Sequence, residues 1–468
     1  MLGNSADRDR SLCSLQNEKI KNTTMNQNLK IIIFLFFISF LPFSTINSQQ
    51  AKQNYGNVPD ELVGYDKYMK AYKYHFIDPM KFYGAGREKA FPIGLKEVRL
   101  GFLGPLEGSI LVNQGTQMLQ GSILAIEEAN KRGGYKGIPY KLMVHNDVGL
   151  WGAAANEIVA MDDEGVWAWL GSIDDIVSHV AIRATFKLEI PNVNTGDPDP
   201  TFTETNIPWV VRTIPDDRQA SYVMVNRIYV KDGHKRIAMI RANNRYGRVG
   251  TLHFNRTATR IGYPIVIEER FNDGETDFTS QIERIKKANP DAIAMWGNAR
   301  ESALILKQIR AMGLKQPVYA SDRIVSKVFL DIAGPLAEGI VTTCQYNPES
   351  DDPKLKKFKA DYQKRFSMEP DVFAAHAYDG MNILIRSVER AGLNRALIRD
   401  VLTDMKITNG YKGVTGELVY DGTWNNIRPI FMAEVNNGKF EFYPAPKWEK
   451  EDIIYKKPAP RSTGEGYR

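Results

Sequence analysis

Short apolar runs alternate with longer amphipathic stretches from Val98 to Ala320, and this alternation restricts the chain to a small group of folds. Runs such as Val98–Leu103 and Val166–Leu170 have the length of buried strands, and the stretches between them have helical periodicity. Strands that alternate with helices form parallel sheets joined by right-handed crossovers. We therefore predict an α/β fold.

The alternation restarts after Thr213, and this restart predicts two lobes. The helical stretches Lys354–Phe366 and Val372–Ala391 resemble neither series, and we expect them to complete the first lobe. A strand-like, turn-rich segment then returns to the second lobe. The predicted boundaries are residues 97–213 with 345–415 for lobe 1, residues 214–344 with 416–445 for lobe 2, and residues 446–468 for a loose C-terminal tail.

The N-terminus has the features of a secretory signal peptide, which we place within residues 1–48. Lys30 precedes an apolar core at Ile31–Leu41, and a polar exit follows at Ser44–Gln50. A membrane span needs about twenty apolar residues, so this core is too short for one, and an uncleaved anchor is the weaker alternative. We expect translation to start at Met25, and we expect no stable membrane insertion after cleavage.

Residues 49–96 form a tyrosine-rich N-terminal extension without a clear period. So many large apolar side chains argue against plain disorder, because they would favour burial. We expect this extension to pack on the main body or, through residues 51–96, on a protein partner.

Composition and motifs exclude several functions. The chain is 43% hydrophobic and 25% charged, as folded soluble proteins are. Its net charge of +6 is spread along the chain, whereas nucleic-acid binding needs a clustered basic patch. The two cysteines, Cys13 and Cys344, cannot form a disulfide framework or a zinc site. No nucleophile elbow, P-loop or zinc-protease motif occurs, so we predict no enzyme, no cofactor and no metal site.

Two loops of small and acidic residues follow predicted strands. Gly171–Asp175 follows the apolar run Val166–Leu170, and Asn194–Pro198 follows Ile190–Val193. In an open parallel sheet, ligands bind outside the carboxyl ends of the strands. These two loops therefore form half of a predicted ligand pocket.

Five aspartates lie on loops that should face this pocket, and Glu107 is a candidate sixth acid. The aspartates are Asp174, Asp175, Asp197, Asp199 and Asp322. Aspartate also caps helices and forms turns, so capping is the alternative for each residue taken alone. We expect at least two of them to face ligand. Such a pocket favours a cationic or amine-bearing ligand, and a divalent cation that bridges to an anionic ligand is the weaker alternative.

Several motifs together resemble the type I periplasmic solute-binding proteins, specifically the leucine/isoleucine/valine-binding branch of ABC transporters. The resemblance covers about residues 97–442. The motifs that carry it include Val98–Gly108, Arg245-Tyr246-Gly247, Asp277-Phe278-Thr279, Ala337-Glu338-Gly339 and Ala377-Tyr378-Asp379. It implies a periplasmic-binding-protein-like I fold, in which two Rossmann-like lobes are joined by a three-segment hinge and close on a ligand.

The resemblance also implies roles for site residues. In that branch, first-lobe hydroxyl and N–H groups hold the carboxylate of an amino acid, and a second-lobe acid holds its ammonium through charge-assisted hydrogen bonds. Asp322 matches that acid, Tyr246 matches a tyrosine at the second lobe's mouth, and Ser178 matches a first-lobe hydroxyl. The complete predicted set of ligand-binding residues is Glu107, Ser172, Asp174, Asp175, Ser178, Thr195, Asp197, Tyr246, Asn298, Asp322 and Phe373. Of these, Phe373 is expected either on the pocket wall or in the core.

The sequence departs from the family's pattern at three places. Asp175 stands where the family carries a serine, and Asp197-Pro198 stands where it carries a second hydroxyl. Asn298 or Ala299 stands where it carries an aromatic residue. A ligand carboxylate would meet anionic side chains and a proline without an N–H, and like charges at close range are strongly unfavourable. We therefore do not expect an aliphatic amino acid bound in the family's manner.

These observations predict a periplasmic solute-binding protein that delivers a small polar, amino-acid-like or amine-bearing ligand to an inner-membrane ABC permease. The alternative is a sensor or partner-binding protein with a vestigial cleft, in which residues 51–96 dock a protein partner.

Overall fold

The computed structural model of the protein describes Phe76 and residues 79–448. The predicted signal peptide, the start of the tyrosine-rich extension and residues 449–468 of the predicted tail lie outside the described residues. Within the described part of the chain, no helix combines the length and the apolar character needed to cross a membrane.

The first sheet has five parallel strands in the order β2-β1-β3-β4-β5. Its strands are β1 (Val98–Gly104), β2 (Tyr140–Asn146), β3 (Trp169–Leu170), β4 (Asn192–Asn194) and β5 (Val210–Arg212). The helices that connect them are α1 (Val112–Lys131), α2 (Trp151–Asp163), α3 (Asp175–Leu188) and α4 (Thr201–Glu204). Strand and helix therefore alternate along this part of the chain, as predicted.

The second sheet has seven strands in the order β14-β13-β10-β9-β8-β6-β7. Its members are β6 (Ile237–Ala242), β7 (Ile267–Phe271), β8 (Ala292–Trp296), β9 (Val318–Ala320), β10 (Val341–Cys344), β13 (Phe431–Asn436) and β14 (Lys439–Pro444). The strands β11 (Lys412–Gly413) and β12 (Gly416–Glu417) form a separate ribbon. Only the pairs that involve β13 are antiparallel within the second sheet as described.

Five helices accompany the second sheet. They are α5 (Asp217–Val225), α6 (Arg245–Arg260), α7 (Thr279–Ala288), α8 (Ala299–Ala311) and α9 (Lys327–Ala333). A π-helical turn, Asn226–Lys231, extends α5. Apolar side chains of α5 and α6 form one core cluster with this sheet, and those of α7, α8 and α9 form another. The sheet is thus covered on both faces, as parallel strands require.

The later helices pack on the first sheet. They are α10 (Pro353–Phe366), α11 (Val372–Ala391), α12 (Arg395–Thr403) and α13 (Met405–Thr408). Side chains of α10, α11 and α12 share a core cluster with β1 and α1. The helices α1 and α11 approach closely at Gly121, where a Cβ atom would lie 2.2 Å from the carbonyl oxygen of Ala374. We refer to the first sheet with its helices as lobe 1 and to the second as lobe 2.

The chain passes three times between the two sheets. It leaves the first sheet after β5 and returns from the second after β10, before it passes again ahead of β13. The buried side chain of Arg212 links the first and third passages, because its Nε donates to Asn425 Oδ1 at 2.9 Å. The predicted fold of two α/β lobes is confirmed.

The described end of the N-terminal extension contacts both lobes. Phe76 is buried in the core of lobe 2, and its carbonyl oxygen accepts a hydrogen bond of 2.7 Å from the Gly422 backbone. Arg87 donates to both carboxylate oxygens of Asp400 on α12 of lobe 1, at 2.6 and 2.9 Å. This part of the extension is therefore integrated into the main body.

We expect the substitution Phe76→Ala to lower the free energy of unfolding by about 3 kcal/mol, because it removes a buried ring from the core of lobe 2. Tyr83→Ala is the matched control, since Tyr83 lies in the same segment and is 84% exposed. The control should change stability by less than about 0.5 kcal/mol. Urea denaturation compares the two variants, and equal effects would contradict the burial of Phe76.

Candidate functional site

Most of the predicted site residues lie where parallel strands end and helices begin. Asp175 is the first residue of α3, after β3, and Asn298 directly precedes α8, after β8. Tyr246 lies in the first turn of α6, and Asp322 opens a short 3₁₀ turn after β9. Because the carboxyl ends of parallel strands share one edge of a sheet, these residues converge on the space between the lobes.

The two lobes touch each other at this edge. Arg245 of α6 in lobe 2 donates from Nε to Asp199 Oδ2 in lobe 1 at 2.5 Å. The same guanidinium donates to Thr201 Oγ1 at 2.9 Å. Asp199 is fully buried. The cleft is therefore closed, and the residues between the lobes are removed from water.

Arg323 stands at the centre of the closed cleft. Its guanidinium lies 3.5 Å from the centre of the Tyr246 ring, and its Nη1 donates to Asn298 Oδ1 at 2.9 Å. Its Nη2 lies 3.9 Å from Asp175 Oδ1 across the cleft, which is too long for a hydrogen bond. Arg323 is thus fixed on the wall of lobe 2, with one amino group directed at lobe 1.

Asp322 is held in place by two neutral donors. The Tyr246 hydroxyl donates to its Oδ1 at 2.9 Å, and the Gln345 amide donates to its Oδ2. The Asp322 side chain is buried. These contacts orient the carboxylate and leave each oxygen with a second lone pair for another donor.

Asp175 and Asp217 are the least satisfied carboxylates of the cleft. They are 4% and 1% exposed, and neither has a hydrogen-bond partner for either oxygen among the residues that the structure describes. Burial raises the pKa of both carboxyl groups well above the usual value, Asp197 adds to the effect at Asp175, and Asp322 adds to it at Asp217. The positive charge of Arg323 opposes both shifts. Both carboxyl groups therefore lack the hydrogen-bond donors and the positive charge that would stabilise their ionised forms.

Asp217 was not predicted from the sequence. It follows Asp216, which caps α5 in a capping box with Gln219. Asp217 therefore had the appearance of a second acidic residue in a helix's first turn, a common and uninformative position. The sequence contained one signal that Asp217 has another role. A single aspartate is enough to cap a helix, so the second aspartate needed a separate explanation.

Asp197 and Asp199 differ although they share a loop. Asp197 accepts the Asp199 N–H at Oδ1, at 2.8 Å, and its Oδ2 lies 3.9 Å from His179 Nδ1. Burial raises the pKa of Asp197, and His179 and Arg212 only partly offset this. Burial also favours a higher pKa for Asp199, but His179 and Arg245 prevail and lower it. Asp199 thus forms an ion pair between the lobes, whereas Asp197 forms no such pair with the described residues of lobe 2.

The predicted hydroxyl residues are buried in lobe 1. Ser172 Oγ donates to Asp147 Oδ2 at 2.6 Å, and Ser178 Oγ accepts from Asn194 Nδ2 at 3.2 Å. Thr195 Oγ1 is buried and makes no hydrogen bond to any described residue. Of the three, Thr195 is the one whose hydroxyl remains open to a ligand.

Three predicted residues stand apart from Arg323. Asp174 caps α3, because its Oδ1 accepts from the backbone N–H groups of Ile176 and Val177 at 2.9 and 3.1 Å. Glu107 is exposed in the loop after β1. Phe373 is buried in the core cluster of lobe 1, where it packs among apolar residues. The structure therefore gives Asp174 the capping role and Phe373 the core role that were open as alternatives.

The comparison with known families decides the identity of the fold. The profile of the family described as periplasmic binding protein matches residues 97–439. The chain belongs to the periplasmic binding protein family. The resemblance seen in the sequence is confirmed, and the chain is a solute-binding protein and not an enzyme.

Individual relatives agree with this assignment. The Leu/Ile/Val-binding protein homolog 2 of Brucella abortus is 28% identical over 355 residues, which are 73% of this chain and 91% of that protein. The crystal structure of LivJ from Streptococcus pneumoniae with isoleucine is 25% identical, with a TM-score of 0.68 over 74% of this chain and 98% of LivJ. A solute-binding protein of R. palustris in complex with benzoate reaches the same TM-score at 18% identity, over 77% of this chain and 99% of its own. One fold therefore accommodates chemically different ligands, and the ligand must be inferred from the cleft.

We expect Asp217→Asn to stabilise the ligand-free protein at neutral pH. A carboxyl group whose folded pKa is raised contributes its full stability below the unfolded pKa of about 4, and that stability is lost as the pH rises. The amide does not ionise, so the variant escapes this loss. Its unfolding temperature should match the wild type near pH 4 and exceed it by about 2–4 °C at pH 7.

Asp331→Asn is the control, because Asp331 is an exposed aspartate on α9 whose side chain is 58% accessible. Differential scanning calorimetry across the pH range makes the comparison. A destabilised Asp217→Asn variant at pH 7 would mean that the carboxylate has a compensating partner.

Proposed function

We propose that the protein is the extracytoplasmic solute-binding component of an ABC importer and captures an amine-bearing ligand between its two lobes. The observation that supports this most directly is the pair of buried carboxylates, Asp175 and Asp217, in a closed cleft. Buried ionisable groups are normally paired, so a cleft built with open carboxylates is suited to a ligand that brings the missing donors.

Asp322 is the proposed primary contact for the ligand's ammonium group. Tyr246 and Gln345 each donate to one oxygen of this carboxylate, so its orientation is set before the ligand binds. An ammonium group offers three N–H donors, and contacts to a charged acceptor are the stronger class of hydrogen bond. The ordered carboxylate therefore loses little entropy on binding.

Thr195, Asp197 and Asn298 are proposed to complete the binding surface. The Thr195 hydroxyl and Asp197 Oδ2 are buried in lobe 1, each without a hydrogen bond to the described residues. Asn298 anchors Arg323 on the opposite wall. Ser172 and Ser178 support these loops through their bonds to Asp147 and Asn194.

Closure of the cleft is the proposed signal for delivery. The ion pair between Arg245 and Asp199 joins opposite lobes, so it forms only when they approach. A ligand that bridges the lobes favours the closed state by its differential affinity for the two states. An inner-membrane permease would then recognise the closed form, and the predicted signal peptide would bring the protein to the periplasm.

We expect amine-bearing solutes to raise the unfolding temperature of the purified protein. A ligand at a hundred times its dissociation constant stabilises the folded state by about 2.7 kcal/mol, which scanning fluorimetry detects easily. The panel should contain amino acids, monoamines, diamines and amides, and protein refolded from urea serves to exclude co-purified ligand. The absence of any shift across the panel would contradict solute binding.

We expect Asp322→Ala to reduce the affinity for a ligand found in this way by more than tenfold. Loss of one partner of a buried ion pair costs about 3–5 kcal/mol. Isothermal titration calorimetry measures the change, and Asp331→Ala is the surface control. An unchanged affinity would remove Asp322 from the site.

A further inference from the structure

The cleft contains an excess of acceptors over donors. Six buried oxygen atoms make no hydrogen bond to any residue in the described ranges, and we call them the open acceptors. They are Oδ1 and Oδ2 of Asp175, Oδ1 and Oδ2 of Asp217, Oδ2 of Asp197 and Oε1 of Gln345. Among the residues placed in the cleft above, the open polar atoms that can donate are Arg323 Nη2 and Thr195 Oγ1. This imbalance specifies what a complementary ligand must carry.

Gln345 provides evidence that does not depend on the acidic residues. It is a neutral side chain, 5% exposed, and its Nε2 donates to Asp322. That bond places the amide in the cleft. Its oxygen, Oε1, is an acceptor that receives no hydrogen bond from other residues of the described chain. A neutral acceptor cannot be satisfied by protonation, so it requires an external donor.

The charge balance leads to the same conclusion. Asp199 is paired with Arg245, Arg212 acts on both Asp197 and Asp216, and Arg323 acts on Asp175, Asp217 and Asp322. These five other aspartates outnumber the two arginines by three in a region that excludes water, apart from any contribution of His179. Proton uptake by Asp175, Asp197 or Asp217 relieves this repulsion in the ligand-free protein, because burial raises the pKa of each, and a ligand with positive charge relieves it without proton uptake.

We propose that the cleft is built for a ligand with two ammonium groups and no carboxylate, a primary diamine, and that Asp217 is one of its binding residues. Two primary ammonium groups carry six N–H donors, against three for a monoamine, for the six open acceptors and the remaining lone pairs of Asp322. The inference rests on the proposed function and specifies the ligand class for the same site. One ammonium lies between Asp322 and Asp217, and the other lies at Asp175 and Asp197 in lobe 1.

A zwitterionic amino acid fits less well. Its carboxylate would place two further acceptors beside the buried carboxylates of lobe 1, with the Arg323 amino group and the Thr195 hydroxyl as its donors. Pro198 in the same loop has no N–H to offer. Its single α-ammonium would satisfy half of the open acceptors.

A metal ion is also a poorer match. The described residues contain no group of three or more His, Cys, Asp or Glu side chains arranged to hold a metal ion. Arg323 would lie close to such an ion and repel it. A diamine differs because an alkyl chain separates its two positive charges. The uncharged chain can lie beside the Arg323 guanidinium without repelling it.

We expect 1,4-diaminobutane to bind at least tenfold more tightly than butylamine, because only the diamine pairs with carboxylates of both lobes. Asp217→Asn should weaken 1,4-diaminobutane by more than tenfold and should stabilise the ligand-free protein. A residue with a merely structural role would not combine a gain in stability with a loss in affinity. Titration calorimetry gives the affinities, and Asp331→Asn is the isosteric control on the surface of lobe 2.

The outcomes separate this inference from the proposed function. Tighter binding of L-leucine or butylamine than of 1,4-diaminobutane would overturn the diamine inference and leave solute binding intact. Stabilisation by Ca²⁺ or Mg²⁺ with no response to diamines would also overturn it. A normal diamine affinity in Asp217→Asn would remove Asp217 from the site. Binding of no small solute would contradict the proposed function itself.

Discussion

The structure is dominated by the burial of several aspartate carboxylates around one guanidinium in the closed cleft. Removing a carboxylate from water costs several kcal/mol unless donors or opposite charges replace the lost hydration. Arg323 cannot compensate Asp175, Asp217 and Asp322 together, and His179 and Arg212 only partly compensate Asp197. The closed protein therefore contains buried carboxylates without enough donors and positive charge. A ligand that supplies them would gain most of its binding energy from these contacts.

The rest of the fold keeps these groups in place against their mutual repulsion. Asp175, Asp217 and Asp322 each lie at the start of a helix or turn, and Asp197 lies in the loop after β4. Parallel sheets with helices on both faces fix the positions of these elements. Local contacts add precision: Asp216 caps α5 and fixes the residue after it, while Tyr246 and Gln345 orient Asp322. The close packing of α1 on α11 at Gly121 gives lobe 1 a rigid base. Rigid lobes limit relaxation, so the cost of the buried charges persists until a ligand binds.

Much of the fold followed from sequence periodicity. The helix predicted at Val372–Ala391 has those bounds in the structure, and the strand predicted at Val98–Leu103 is one residue longer, Val98–Gly104. Short elements such as Thr201–Glu204 were missed, because four residues carry no measurable period. Periodicity identifies the face that an element buries, but not which loop residues turn inward.

The site was harder to predict because its chemistry depends on contacts between lobes. Asp174 and Asp175 are adjacent and identical in type, yet one caps α3 and the other is buried across from Arg323. The exact residue at which α3 begins decides which of the two aspartates turns inward. Helix boundaries inferred from sequence are not precise to one residue. Asp217 and Asp322 lie on elements of lobe 2 that are distant in the chain, and their proximity appears only when α5 and the turn after β9 pack on the same sheet.

We propose that the closed cleft holds an amine-bearing solute through its open carboxylates. Mass spectrometry of the small molecules released from natively purified protein tests this claim directly. We expect one compound with a basic amine, bound in about one-to-one ratio to protein. A bound carboxylic acid that lacks an amine would contradict it.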